Sequence, residues 1–260
     1  MNALKMPAHL FLASLGKKML RPGGRRATER IIQHLELTPD SVVLEVAPNM
    51  GTTAIHLAKT YGCKIYAVDI HGPSLEKAKE NVKKEGLEDQ IILQMGDARK
   101  LPFEDGMFDA VINEAMLTML PNKEKMKAIQ EYYRVLKPGG RLGTHDLTLK
   151  YTPSDDVMNE FWSQLKIMAT PLTIEDWHNI FEQSPFEKFE SVTGHMSLLS
   201  MDGLLVDEGW EGTIEILKNA GQSEETKERF FNLASFFFEY SDLFGHCTFH
   251  AEKNKKDNVT

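Results

Sequence analysis

A doubly wound α/β fold with a mostly parallel sheet is predicted by three observations. From Ser41 to Leu147, short apolar, β-branched runs alternate with amphipathic helical stretches, the signature of successive βαβ units. The runs are continuously apolar rather than alternating, which suits strands covered on both faces. Stop signals fall between them, Gly86 after one helical stretch and Pro138-Gly139-Gly140 after another. The 260 residues, 42% hydrophobic and 26% charged, have an ordinary globular composition. They amount to ~1.7 nominal domains of ~150 residues.

Ala27–Leu35 reads as a helix leading into the turn Thr38-Pro39-Asp40. The first strand run is Ser41–Ala47, followed by a helix over Thr52–Thr60. The second run, Lys64–Val68, ends in Asp69 and leads to a helix over Ser74–Glu85. Gln90–Met95 is the third run, before Gly96-Asp97-Ala98, and Phe108–Asn113 is the fourth. A helix over Lys123–Leu136 precedes the fifth run, Arg141–Leu147.

Beyond residue 150 the pattern becomes helical. Ser154–Ala169 reads as one helix, and Thr173 starts another with Asp176 at the reciprocal position of a capping box. Phe186–Ser200 supplies a strand, Asp207–Tyr240 is mostly helical with a break at Gly221, and Leu243–Ala251 is a late strand. Phe230, Phe231, Phe236, Phe237 and Phe238 are expected to pack the C-terminal helix onto the sheet. The chain divides into an N-terminal helical segment (1–40), a core (41–150) and a segment that completes the sheet and caps it (151–260), all in one domain.

Charge is uneven. Residues 1–150 hold 22 Lys/Arg against 18 Asp/Glu, a net of +4, and residues 151–260 hold 8 against 20, a net of −12. A broad basic face is missing, which argues against a nucleic-acid partner. Basic residues cluster at Lys17, Lys18, Arg21, Arg25, Arg26 and Arg30, either a solvated helix face or a group that meets an anionic substrate. No apolar run approaches the ~20 residues of a membrane helix, and His9–Leu15, with Pro7 before it, is too short for a signal peptide. Two distant cysteines, Cys63 and Cys247, suit a reducing, cytoplasmic setting. His246 and His250 fall on a strand and share a face there, so no metal site is expected.

The chemistry collects at the ends of the strands, where doubly wound sheets bind ligands. Glu45-Val46-Ala47-Pro48-Asn49-Met50-Gly51 forms a tight loop before a helix N-terminus, a place for a carboxylate or phosphate. Asp69 lies 18 residues after Gly51 at the end of the second run, where a carboxylate accepts from both hydroxyls of a ribose and repels a 2′-phosphate. Asp97 is placed to accept from an adenine amino group.

In combination these pieces resemble the class I S-adenosylmethionine-dependent methyltransferases, in particular the small-molecule group that includes ubiquinone- and menaquinone-biosynthesis enzymes (methyltransferase type 11). The resemblance runs over about residues 41–147 and rests on Val43-Leu44-Glu45-Val46 with Gly51, Val68-Asp69, Gly96-Asp97-Ala98, Leu101-Pro102-Phe103 before Phe108-Asp109, and Tyr133–Gly140. It implies a Rossmann-like, seven-stranded sheet with an antiparallel edge strand and a helical cap. It also implies S-adenosyl-L-methionine as cofactor and a small-molecule methyl acceptor as partner. Glu45, Ala47, Asn49 and Gly51 would flank the methionine end of the cofactor, Asp69 and Ile70 the ribose, Asp97 and Ala98 the adenine, and Asn113 the sulfonium. The family's usual Asp-x-Gly-x-Gly-x-Gly appears here with Glu45, Ala47 and Asn49 in place of the acid and two glycines. The G-x-G-x-x-G loop of nicotinamide enzymes is missing.

Methyl transfer from a sulfonium is an in-line displacement that needs alignment and a shielded site, with a base only if the acceptor must lose a proton. Glu114 and His145 are the candidate bases, with Asp146 beside them. Arg21, Met116 and Trp210 are candidates for the acceptor side: Arg21 in the flexible Pro-Gly-Gly lid segment, Met116 in an adaptable apolar wall with Met50 and Met119, and Trp210 in the later helical segment. The function predicted is methylation of a small, partly apolar molecule. A methyltransferase-like binding protein without catalysis and an RNA methyltransferase are the alternatives, the acidic C-terminal part counting against the second.

Overall fold

In the computed structural model, which describes residues 3–255, five strands pair in parallel: β1 (Val42–Val46), β2 (Lys64–Asp69), β3 (Ile91–Met95), β4 (Phe108–Glu114) and β5 (Leu136–Leu149). Their spatial order, β3-β2-β1-β4-β5, reverses between β1 and β4. That reversal leaves a crevice at the carboxyl ends of the two strands. Two more strands extend the sheet beyond β5: β8 (Phe244–Glu252), then β7 (Phe189–His195). The two-residue β6 (Leu172–Thr173) pairs with the end of β5.

The antiparallel strand is β8, and it lies one place in from the edge, antiparallel to both β5 and β7. Its composition explains the position. β8 is buried along almost its whole length, whereas β7 is only partly covered. The half-exposed strand takes the edge, where one row of backbone groups meets solvent.

The helices before the sheet are α1 (Ala8–Ser14) and α2 (Gly24–His34); those between strands are α3 (Thr52–Tyr61), α4 (Gly72–Lys84) and α5 (Asn122–Val135). After β5 come α6 (Asp155–Leu165), α7 (Ile174–Glu182), α8 (Met201–Ala220) and α9 (Glu224–Glu239). Their ends follow the local chemistry. Gly62 ends α3 in a left-handed conformation with its N–H on Ala58 O. Thr173 caps α7 through the Asp176 N–H, and Ser223 and Thr226 form a capping box on α9. The helix predicted from Asp207 begins earlier, at Met201, and breaks at Gly209 (φ 72°, ψ 178°) as well as at Gly221. That conformation is open essentially to glycine alone. His9–Leu15, read only as a short apolar stretch, contributes α1, with Phe11 and Leu12 buried.

Three apolar clusters hold the layers. Ile31, Val43, Leu57, Ile65 and Ile112 pack α2 and α3 on one sheet face. Leu44, Val111, Tyr132, Trp177, Phe181 and Phe249 pack α5 and α7 on the other. A third cluster joins α1, α6 and α9 over Leu147, Leu149 and Phe244 at the end of β5. The C-terminal helix therefore packs on helices and strand ends rather than on the sheet face. Phe230, Phe236 and Phe237 are buried there, while Phe231 is exposed and Phe238 is 84% exposed. Among the described residues no helix is long and apolar enough to cross a membrane.

Candidate functional site

The loop after β1 keeps a backbone that normally asks for glycine. Ala47 (φ 59°), Asn49 (φ 51°) and Gly51 (φ 75°) are all left-handed, so two side-chain-bearing residues sit where a Cβ costs about 1–2 kcal/mol. Sheet and helix contacts fix the path: Ala47 N–H donates to Val68 O (2.8 Å), Gly51 N–H to Pro48 O (2.8 Å), and Asn81 Nδ2 to Met50 O (3.0 Å). Gly51 is also needed for space, since a Cβ there would stand 3.3 Å from the Ala78 Cβ on α4.

This loop and the ends of β2, β3 and β4 surround a cavity of about 520 Å³. Of the residues predicted to hold a cofactor, Ala47, Asn49, Asp69, Ile70, Asp97 and Ala98 line it. Asp69, at the end of β2, accepts from the His71 N–H (2.8 Å) through one oxygen. Ile70 leaves its branched side chain 65% exposed at the wall, an apolar surface for a flat ring to cover. Asp97 is held by Arg99, whose Nε lies 2.9 Å from Oδ1 and whose NH2 lies 2.6 Å from Oδ2. That hydrogen bonding holds its carboxyl below the usual range.

Glu45, Gly51 and Asn113 do not line the cavity; Glu45 and Asn113 stand near the ends of β1 and β4, and Gly51 at the start of α3. Glu45 Oε2 and both polar atoms of the Asn113 side chain are buried without a protein partner. Burial pushes the Glu45 carboxyl up to about 8, against the pull of Arg21. Native interiors rarely leave such atoms unpaired, and those that remain point to a missing ligand, ion or water. The donor and acceptor set fits a group that brings a cation and a ribose: Glu45, beside the cavity, for the cation and Asp69, on its wall, for the hydroxyls.

Beside this open region the side chains are fully engaged. Glu114, at the end of β4, meets Arg21 NH1 (3.2 Å) and Thr53 Oγ1 (3.1 Å) through Oε1, and Thr28 Oγ1 and His145 Nδ1 through Oε2. Burial alone would raise this carboxyl, but Arg21, His145 and Thr28 outweigh it and hold Glu114 at about 2. His145 is completely buried on β5. Its Nε2 accepts from the Gly23 N–H (2.9 Å), which places the ring proton on Nδ1, 3.3 Å from Glu114. Both candidate bases are thus tied into a junction between the N-terminal segment and the sheet. Arg21 lines the cavity but is committed to Glu114 and to Thr53 Oγ1 (2.6 Å). Met116 lines it as well.

The N-terminal segment is latched from α8. Asp207 accepts from the Arg25 N–H (2.7 Å) at the start of α2 and faces Lys17 Nζ (3.4 Å). A carboxylate there also meets the positive end of the helix. Glu208 accepts from the N–H groups of Lys18 (3.0 Å) and Met19 (2.9 Å). Gly24 (φ 58°) has no room for a side chain, because a Cβ would lie 2.4 Å from Asp207 Oδ1. Arg25 NH2 donates to Asp207 O, and Arg26 pairs with Asp202. The cationic cluster is therefore spent largely on acidic groups of α8 and on Glu114 rather than offered to an anionic substrate. Trp210, just beyond the break at Gly209, is 71% exposed and lines neither this cavity nor the next.

A smaller apolar cavity of about 80 Å³ adjoins the first, and His9, Leu20, Ala115 and Met119 line both. Leu12, Phe161, Leu233 and Phe237 supply its hydrocarbon walls. Thr118 and Asp146 are its polar residues besides His9. His246 and His250 do share a face of β8 but serve separate contacts: His246 packs on His145 (centroids 5.5 Å apart) and His250 on His34 (4.3 Å).

Thr28, Thr53, Asp207 and Thr118 were not legible as site residues in the sequence. Each sits in an ordinary helix or turn context and acquires its partner only across the fold, so no local signal marks it.

Comparison with known proteins fits this geometry. A family model described as a methyltransferase domain matches residues 43–140. An uncharacterized protein of Haemophilus influenzae is 48% identical over 220 residues, covering 85% of this chain and 88% of the relative. Methyltransferase GfsG of Streptomyces halstedii is 29% identical over 213 residues, 78% of this chain and 76% of the relative. Among solved structures, phosphoethanolamine N-methyltransferase 2 of Haemonchus contortus in complex with S-adenosyl-L-methionine matches with a TM-score of 0.74 at 21% identity. That match covers 90% of this chain and 54% of the other.

Proposed function

The chain belongs to the class I S-adenosylmethionine-dependent methyltransferases of the small-molecule class, and we propose that its acceptor is a partly apolar molecule held beneath the N-terminal segment. The observation that carries this reading is the apolar cavity that adjoins the larger one, with four residues lining both.

When bound, S-adenosylmethionine supplies an electrophilic methyl group on a sulfonium. Glu45, Ala47, Asn49 and Gly51 would hold its methionine end, Asn113 the region of the sulfonium, Asp69 and Ile70 the ribose, and Asp97 and Ala98 the adenine. Residues 1–40 act as a lid segment over the core of residues 41–150, and residues 151–260 complete the sheet and cap the strand ends. The lid excludes water, and the apolar walls fix the acceptor in line, where most of the rate gain of such a reaction lies.

Glu114 and His145 fit this reading as positioning groups rather than as proton acceptors. A carboxylate held at about 2 is a weak base, and both nitrogens of His145 are already engaged. They hold Arg21 and Gly23, and so the lid, at the proper height above the strand ends. Met116 forms part of the apolar wall of the larger cavity.

The experiment is twofold. Calorimetry should detect S-adenosylhomocysteine binding to the full chain. Labelled S-adenosylmethionine incubated with the enzyme and a size-fractionated cell extract should deliver the label to the small-molecule fraction. Label in RNA, or none in any fraction, would overturn the proposed acceptor class.

A further inference from the structure

In the apolar cavity stands a carboxyl group with half its hydrogen-bonding capacity unused. Asp146, on β5, is 2% exposed. Its Oδ1 accepts from the N–H groups of Thr118 (3.2 Å) and Leu147 (3.1 Å) and from the Thr118 hydroxyl. Its Oδ2 is buried and accepts from nothing in the protein.

The nearby ammonium of Lys125 does not supply the missing partner. Its Nζ is committed to Leu120 O (2.6 Å), Asn122 Oδ1 (3.1 Å) and Thr170 Oγ1 (2.7 Å). His145, the next residue back, is turned to Gly23 and Glu114. An ionised carboxylate left unpaired among hydrocarbon walls is costly, and burial pushes the Asp146 carboxyl up. A ligand that carries a hydrogen-bond donor on an apolar body relieves that cost, and a cationic donor relieves most of it.

The walls also say what is refused. No lysine or arginine lines this cavity, and Arg21 beside it is spent on Glu114. A carboxylate or phosphate entering here would meet Asp146 with no cation in the cavity wall to offset the repulsion.

We infer that Asp146 is the polar anchor of the acceptor-side cavity, and that the cavity takes an amine on an apolar body, its N–H donating to the Asp146 carboxyl. The inference rests on the assignment of this cavity to the methyl acceptor, and it narrows that acceptor class from partly apolar to apolar and amino.

The test uses the full chain saturated with S-adenosylhomocysteine and four probes of one shape: benzylamine, benzyl alcohol, toluene and benzoate. Benzylamine should bind at least tenfold more tightly than toluene or benzyl alcohol, with benzoate the weakest. Asp146→Asn should erase the preference for the amine and leave S-adenosylhomocysteine affinity within about twofold. Should Asp146→Asn fail to fold, Leu233→Trp keeps the carboxyl and fills the cavity, and it should abolish benzylamine binding. The inference is overturned if benzoate or toluene matches benzylamine, if either variant retains the amine preference, or if no probe binds to protein that does bind S-adenosylhomocysteine. Wild-type protein that binds no S-adenosylhomocysteine would overturn the cofactor reading as well, so the two failures are distinguishable.

Discussion

Glu45 and Glu114 end neighbouring strands of the same sheet, both buried, and their surroundings are opposite. Glu45 keeps one oxygen without a partner and is pushed up to about 8 by burial. Glu114 is saturated by Arg21, two threonines and His145 and is held at about 2. The contrast separates two uses of a buried carboxyl. Where the protein satisfies it, the group belongs to the fold. Where the protein does not, the group is left for something that arrives later. Asn113, unpartnered beside Glu45, belongs with the second kind.

The sharpest way to break this distinction is Arg21→Met. It leaves the Glu114 carboxylate buried without its cation, and urea unfolding should show a loss of about 3–5 kcal/mol. Much of that should return in the double variant Arg21→Met/Glu114→Gln. If Glu114 were a ligand group, the single substitution would cost little in the free protein.

Next in size is Asp69→Ala, on the ligand side. Losing a charge-assisted acceptor for ribose hydroxyls should weaken S-adenosylhomocysteine binding by about tenfold or more, from a contact of roughly 1.5–3 kcal/mol, with little effect on stability. Calorimetry reads the first and thermal unfolding the second.

The pH dependence should run in opposite senses at the two glutamates. Glu114 has a depressed folded pKa, so its stabilisation is complete above the ordinary value of 4.5 and is lost as pH falls towards 2. Glu45 has a raised one, so it opposes folding increasingly as pH rises from 4.5 to about 8. Glu45→Gln should therefore gain stability over wild type at pH 8, show no such gain at pH 4, and bind S-adenosylhomocysteine more weakly. Parallel urea titrations at the two pH values test it.

The smallest effect belongs to the loop. Ala47→Gly should relieve left-handed strain at φ 59°, offset in part by the entropy of glycine in the unfolded chain. The net gain should be under about 1 kcal/mol, visible as a small rise in Tm. A loss instead would mean that the Ala47 methyl packs on something that matters more than its backbone angle.

The parts legible in the sequence were those decided locally. Strand runs β1 to β5 and the helices between them declare themselves by apolar pattern and stop residues, and Asp69 and Asp97 by their place just after a strand. The Arg21–Glu114 pair joins positions far apart in the chain, and nothing around either residue marks the other. The position of β8 depends on which of two late strands can bear solvent, a property of the assembled sheet. The sequence offers Trp210 as an acceptor-side residue, yet the break at Gly209 separates it from the part of α8 that holds the N-terminal segment, and its ring stands in solvent.

The latch from Asp207 and Glu208 has a consequence for rates. Pro7, Leu10, Lys18 and Leu20 line the large cavity, so lifting the N-terminal segment widens the way in for whatever occupies it. Lifting separates Lys17 from two carboxylates and frees the first N–H groups of α2 at the same moment. Opening of this kind is a local unfolding step with its own barrier. If the segment closes over the bound molecules as proposed, residence time, and with it the ceiling on turnover, falls under the control of a helix that lines neither cavity.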